Sequence, residues 1–164
     1  MKIIALAAVL VLGSACTAAI PPEGPALDMV AFFTGKTRGE GQLRVLLEAP
    51  TRISVDSVGR TDRKGDLILD QTVREEGKAA RNRRWVMRRA GPGRFTGTLT
   101  DAVGPVSVTV AGSEADIRYK MKDGLSVAQT LQLQPGGQTI ANRMAVKKFG
   151  VRVARLQETI RKLD

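Results

Sequence analysis

Phe95-Thr96-Gly97-Thr98-Leu99-Thr100, then Asp101-Ala102-Val103-Gly104-Pro105, then Val106-Ser107-Val108-Thr109-Val110 is the passage that decides the fold. Its two outer pieces alternate between apolar and polar residues, and a turn-forming stretch separates them. Successive side chains of a strand point to opposite faces, so this alternation makes a ribbon with one apolar and one polar side. That is the pattern of an antiparallel sheet with one face in a core.

Working outward, the same period continues in Ile117-Arg118-Tyr119-Lys120-Met121-Lys122. Weaker versions occur over Leu43–Leu47, Ile53–Val58, Leu67–Val73, Arg84–Arg89, Val127–Leu133 and Ile140–Val146. Turn signals fall between them: Arg63-Lys64-Gly65, Glu76-Gly77, Gly91-Pro92-Gly93, Gly104-Pro105, Asp123-Gly124 and Gly136-Gly137. Asp-Gly is the strongest of these, because both positions of a tight hairpin turn need a positive φ. The spacing predicts an all-β fold of about 8–10 antiparallel strands, a barrel or a sandwich, and the reading taken is a lipocalin-like β-barrel. A short helix precedes it, with Asp28 as N-cap, Leu27 stapled against Phe32, and Gly35 as the stop. At the C-terminus Val153, Leu156, Ile160 and Leu163 also fit a helical stripe. The reading taken is a strand continuing from Gly150.

Composition narrows the chemistry. The chain has no histidine, which removes the usual general base and the commonest metal ligand. It has one cysteine, so no disulfide framework or thiolate metal site can form within one chain. No cofactor, metal or catalytic residue is expected. The net charge of +10 favours anionic surfaces. Aromatic residues make up only 4%, too few for a surface that stacks bases, so nucleic acid is not an expected partner. Oligomeric state is left open.

Residues 1–15 read as a secretory leader: Lys2, an apolar run over Ile3–Leu12, and small residues before Cys16. The run is about half a bilayer long as a helix, so it is not a transmembrane anchor. Leu12-Gly13-Ser14-Ala15-Cys16 resembles a lipobox, in which the Cys16 thiol is lipidated. The alternative is ordinary signal-peptidase cleavage after Thr17-Ala18-Ala19. Lipidation predicts a membrane partner through acyl chains such as palmitate, and Thr17 after the cysteine resembles an outer-membrane, periplasm-facing address. Residues 16–26 are a small, proline-rich tether, and residues 27–164 are a single barrel domain.

The chain also resembles the DUF3833 family of bacterial lipoproteins. The matching pieces are Leu27-Asp28, Phe32-Phe33-Thr34-Gly35, Leu67–Asp70, Arg84-Trp85-Val86-Met87-Arg88-Arg89, Gly93-Arg94-Phe95-Thr96-Gly97, Asp101-Ala102-Val103-Gly104, Arg118-Tyr119, Asn142-Arg143 and Lys148-Phe149-Gly150. They run in order through nearly the whole mature chain. The resemblance implies a lipoprotein with a barrel-like domain and implies no particular activity. Where that family usually has an Asp-Asp-Trp-like element, this chain has Gln129-Thr130-Leu131-Gln132-Leu133.

Candidate ligand-binding residues are Trp85, Asp101, Tyr119, Gln129, Asn142 and Arg143. Asp101 and Asp70 are the carboxylates to inspect for acid–base work, though a turn at Asp101 and an arginine partner for Asp70 are the plainer readings. Asn142-Arg143 offers a fork for an anionic group, against the plainer reading of an arginine satisfying a neighbouring carboxylate. Arg83, Arg84, Arg88 and Arg89 around Trp85 read equally as a surface docking on anionic lipid and as a solvated basic edge. Small residues on the apolar faces, at Gly97, Val106, Val108, Val110 and Val127, together with inward Gln71 and Gln129, suggest a hollow barrel. The leading function is an envelope lipoprotein that binds or presents an apolar molecule, acyl chains included. The alternative is a filled barrel that docks a partner or anionic lipid through its basic face. An enzyme ranks third.

Overall fold

A computed structural model of the protein describes residues 25–163; the leader, Cys16 and the tether up to residue 24 lie outside the described residues. The chain opens with a five-residue helix, α1 (Met29–Phe33), whose N-cap Asp28 accepts hydrogen bonds from the Val30 and Ala31 amides. Helical geometry ends before Gly35, which has φ +95°. Ten strands follow: β1 (Gly35–Val45), β2 (Thr51–Thr61), β3 (Leu67–Glu75), β4 (Arg81–Gly91), β5 (Arg94–Leu99), β6 (Val106–Ala111), β7 (Glu114–Lys120), β8 (Leu125–Leu133), β9 (Thr139–Lys148) and β10 (Val151–Leu163). Each pairs antiparallel with the next, and β1 pairs with β10 to close the barrel. Closure removes both sheet edges, so none of these ten strands is left as a template for foreign pairing.

The C-terminal segment is a strand, registered from Lys36↔Leu163 to Val45↔Ala154. Its helical-looking stripe arises because Leu156 and Ile160 are four apart, a spacing that also satisfies period two; both are buried. Asp123-Gly124 makes the tight turn expected of it, with φ of 61° and 73°. β1 starts well before the expected Leu43–Leu47 run. Its inner positions Thr37, Gly39 and Gly41 are not apolar, so hydropathy does not mark them. A Cβ on Gly39 would lie 2.0 Å from Glu158 Oε1, and one on Gly41 would lie 2.2 Å from the Gln157 carbonyl oxygen. These glycines make room for β10.

The core lies inside the barrel. Around β5, β6 and β7 it is filled by Phe95, Leu99, Val106, Val108 and Ala115, each 5% exposed or less. The small residues there do not make a hollow. A Cβ on Gly97 would meet the Val86 carbonyl oxygen at 1.9 Å, so Gly97 answers to a close strand approach. α1 crosses the barrel end formed by the starts of β1 and β3 and the end of β2. There the Lys162 ammonium donates to the Ala31, Phe32 and Thr34 carbonyls at 3.0, 3.0 and 2.7 Å. The Leu27 amide donates to Gly112 in the β6–β7 turn at 2.8 Å.

Candidate functional site

The longer strands β1–β4 and β8–β10 leave space that the short ones do not. Between them lies a cavity in which the centres of water molecules can range over about 90 Å³. One water needs roughly 10–15 Å³ by that measure, so the space suits a small organic molecule. Met29 and Phe33 of α1 wall one end, and Leu43 and Arg81 stand at the other. The lining is mainly apolar; besides Arg81 and Gln129, two hydrogen-bonded polar groups are set into it.

The first group centres on Gln71 of β3. Its Oε1 accepts from Trp85 Nε1 and from Arg83 Nε, both at 2.8 Å, while its Nε2 donates to Ser57 Oγ at 3.0 Å. Period two on β4 brings Arg83, Trp85 and Met87 inward and turns Arg84 and Arg88 outward. The Arg83 guanidinium carbon lies 5.7 Å from the centre of the Trp85 ring. Among the described residues Arg83 takes part in no ion pair. Burial pushes its guanidinium down from the usual arginine value, although such a group stays charged.

The second group is Asn142 on β9 and Glu158 on β10, opposite each other in register. Asn142 Nδ2 donates to Glu158 Oε2 at 2.7 Å, and the two residues are 3% and 8% exposed. Among the described residues, Asn142 Oδ1, Glu158 Oε1 and Thr37 Oγ1 have no hydrogen-bond partner. A buried polar atom without a partner costs about 1–3 kcal/mol, so three in one barrel require a reason. Burial pushes the Glu158 carboxyl up; the Asn142 hydrogen bond and the Arg83 charge pull the other way.

Of the residues singled out from sequence, Trp85, Gln129 and Asn142 line this cavity. Tyr119 stands behind Trp85, edge-on with ring centroids 5.6 Å apart, and burial pushes its hydroxyl up. Asp101 and Arg143 are not brought to the cavity. Asp101 sits half-exposed in the β5–β6 connection. Arg143 is exposed on the outer face, since the residue after an inward Asn142 must point out. Asp70 pairs outside the barrel with Arg84 and Arg60, which hold its carboxyl down at about 2.

The four arginines expected to form one basic face are dispersed. Arg83 faces inward, Arg84 pairs with Asp70, and Arg88 pairs with Asp66 at 3.0 Å. Arg89 lies 3.7 Å from Asp28 and over the Phe95 ring. Sequence reasoning missed Glu158. Read as a strand, Leu156-Gln157-Glu158-Thr159-Ile160 puts Glu158 on the same inward face as its apolar neighbours, but the competing helical stripe hides that. Among the described residues no group of three potential metal ligands occurs.

Two solved structures share this fold. The S-type phycobiliprotein lyase CPES from Guillardia theta aligns with a TM-score of 0.64 at 7% identity, over 82% of this chain and 90% of that one. A protein of unknown function from the DUF3598 family of Nostoc punctiforme PCC 73102 aligns with a TM-score of 0.63 at 15% identity, over 85% of this chain and 50% of that one. At those identities the likeness is one of fold. No curated protein matches the chain.

The expectation of an outer-membrane lipoprotein is corrected at this point. Among the described residues no helix is long and apolar enough to cross a membrane, a statement about helices alone. The two similar structures are named as a phycobiliprotein lyase and a DUF3598 protein, not as membrane lipoproteins. A family profile described as "Protein of unknown function (DUF3833)" matches residues 8–162, and with nearly its whole length inside that match the chain belongs to the DUF3833 family.

Proposed function

We propose that this protein is a lipocalin-like container that binds a small, largely apolar molecule, acyl chains included, inside its barrel. The observation that carries the reading is the pair of buried, unpartnered acceptors, Asn142 Oδ1 and Glu158 Oε1, set in the wall of a largely apolar cavity. In a barrel evolved only to be filled, such atoms lower stability and give nothing in return. In a binding cavity they meet the polar end of a ligand. A barrel of the same shape is named a phycobiliprotein lyase, which supports a role in handling a small molecule.

Titration with a fluorescent fatty-acid probe, competed by unlabelled 1-octanol, tests the proposal. Saturable binding of one probe per chain, displaced by the alcohol, is the expected result. No saturable binding by correctly folded protein refutes it and leaves the filled, partner-docking barrel as the better account.

A further inference from the structure

Resting on that container reading, we infer that the bound molecule carries a carboxylate, which pairs with Arg83 while its apolar part lies along Met87, Leu69 and the α1 residues Met29 and Phe33. Arg83 is the half-buried cation of the cavity wall, while Arg81 is exposed at its far end, and the geometry of Arg83 is already arranged for such a partner. Nε is held by Gln71 and the guanidinium stands over Trp85, which leaves the two terminal nitrogens without a hydrogen-bond partner among the described residues. Two parallel N–H donors match the two oxygens of a carboxylate.

Charge points the same way. Arg60, Arg74 and Arg84 have acidic partners on the outer surface and Arg88 pairs with the buried Asp66, whereas Arg83 has no acidic partner among the described residues. An inward cation without a counter-ion is costly. The nearest candidate inside the barrel, Glu158, is engaged by Asn142 instead and stands on the opposite wall, since β3, β2 and β1 separate β4 from β10. A ligand anion beside Arg83 supplies the counter-ion that it lacks. The carboxylate accepts from Arg83 alone; Asn142 Oδ1 and Glu158 Oε1, on the far wall, are left to a donor group elsewhere on the ligand.

The test uses the intrinsic fluorescence of Trp85, the only tryptophan in the chain and part of the cavity wall. Octanoate and 1-octanol share a chain length and differ at the head. Wild-type protein is expected to bind octanoate about ten-fold more tightly or better at neutral pH, the scale of a charge-assisted hydrogen bond. Arg83→Met should bring the two probes to near parity with 1-octanol binding retained, while Arg84→Met, changed on the outer face, keeps the preference. Equal binding of the two probes by wild type overturns the carboxylate assignment and leaves the container standing, and this arm needs no variant to fold. A preference that survives Arg83→Met overturns the role of Arg83. Binding of neither probe overturns the inference and the container together.

Discussion

Lys162→Met should unlatch the helix that walls the cavity. A five-residue helix does not persist by itself in water, so α1 depends on its tertiary attachments. Lys162 commits three donors to carbonyls at the helix C-terminus, where a cation is also favoured by the backbone dipoles. The bonds to Ala31 and Thr34 are exposed, and water can replace them at a cost of a few tenths of a kcal/mol each. The bond to Phe32 is partly buried, and an acceptor stranded there costs about 1–3 kcal/mol. The sum is about 2 kcal/mol. For a chain of this size 1 kcal/mol corresponds to roughly 4 °C, so the melting temperature should fall by about 8 °C. Methionine keeps most of the apolar stem, which isolates the ammonium as the cause. Hydrogen exchange should rise first at the Phe32 and Thr34 amides, which are bonded to Asp28 and Val30, before the barrel ladders respond. Unchanged exchange there together with an unchanged melting temperature would refute the view that Lys162 holds α1 in place.

Val55→Phe adds volume to a cavity-lining position 5% exposed, and should abolish or strongly weaken probe binding while near-native melting is kept; wild-type affinity in the folded variant would show that the cavity is not the binding space. Gly97→Ala should destabilise by about 1–3 kcal/mol in chemical denaturation, because the new Cβ meets the Val86 backbone rather than a movable side chain; a neutral or stabilising effect would contradict the close approach of β4 and β5. Asp70 is depressed to about 2 by Arg84 and Arg60, so its stabilisation is present above the ordinary carboxylate value of 3.8 and is lost as the pH falls from there through about 2. With 37% of the side chain exposed, solvent screening reduces the contribution to about 1 kcal/mol or less. Asp70→Asn should therefore be less stable than wild type at pH 7, with the gap narrowing as the pH falls from 3.8 towards 2 and closing only below that, and a constant gap across that range would reject the ion-pair account.

What the sequence determined by itself was local. Alternation at period two marks β4 through β8 because each strand shows its own inward and outward faces, and the Asp123-Gly124 turn follows from two adjacent positions that need a positive φ. Asp28 was legible as a cap for the same reason: its partners are two and three residues away. The family was legible too, as an ordered series of short matches along one chain.

Tertiary structure decided everything that depends on which strand lies beside which. The β1–β10 pairing joins residues more than a hundred positions apart, and it alone explains why glycines stand at 39 and 41 and where the Glu158 side chain goes. The arginine that reaches the cavity wall from mid-strand is Arg83 and not Arg143, because a single step in strand phase reverses a side chain's face and only the closed ladder sets that phase. The same closure crowds β5, β6 and β7 into a filled wall while β1–β4 and β8–β10 keep a cavity. Hydropathy marks both halves alike, since it records which residues avoid water and not how closely their strands approach.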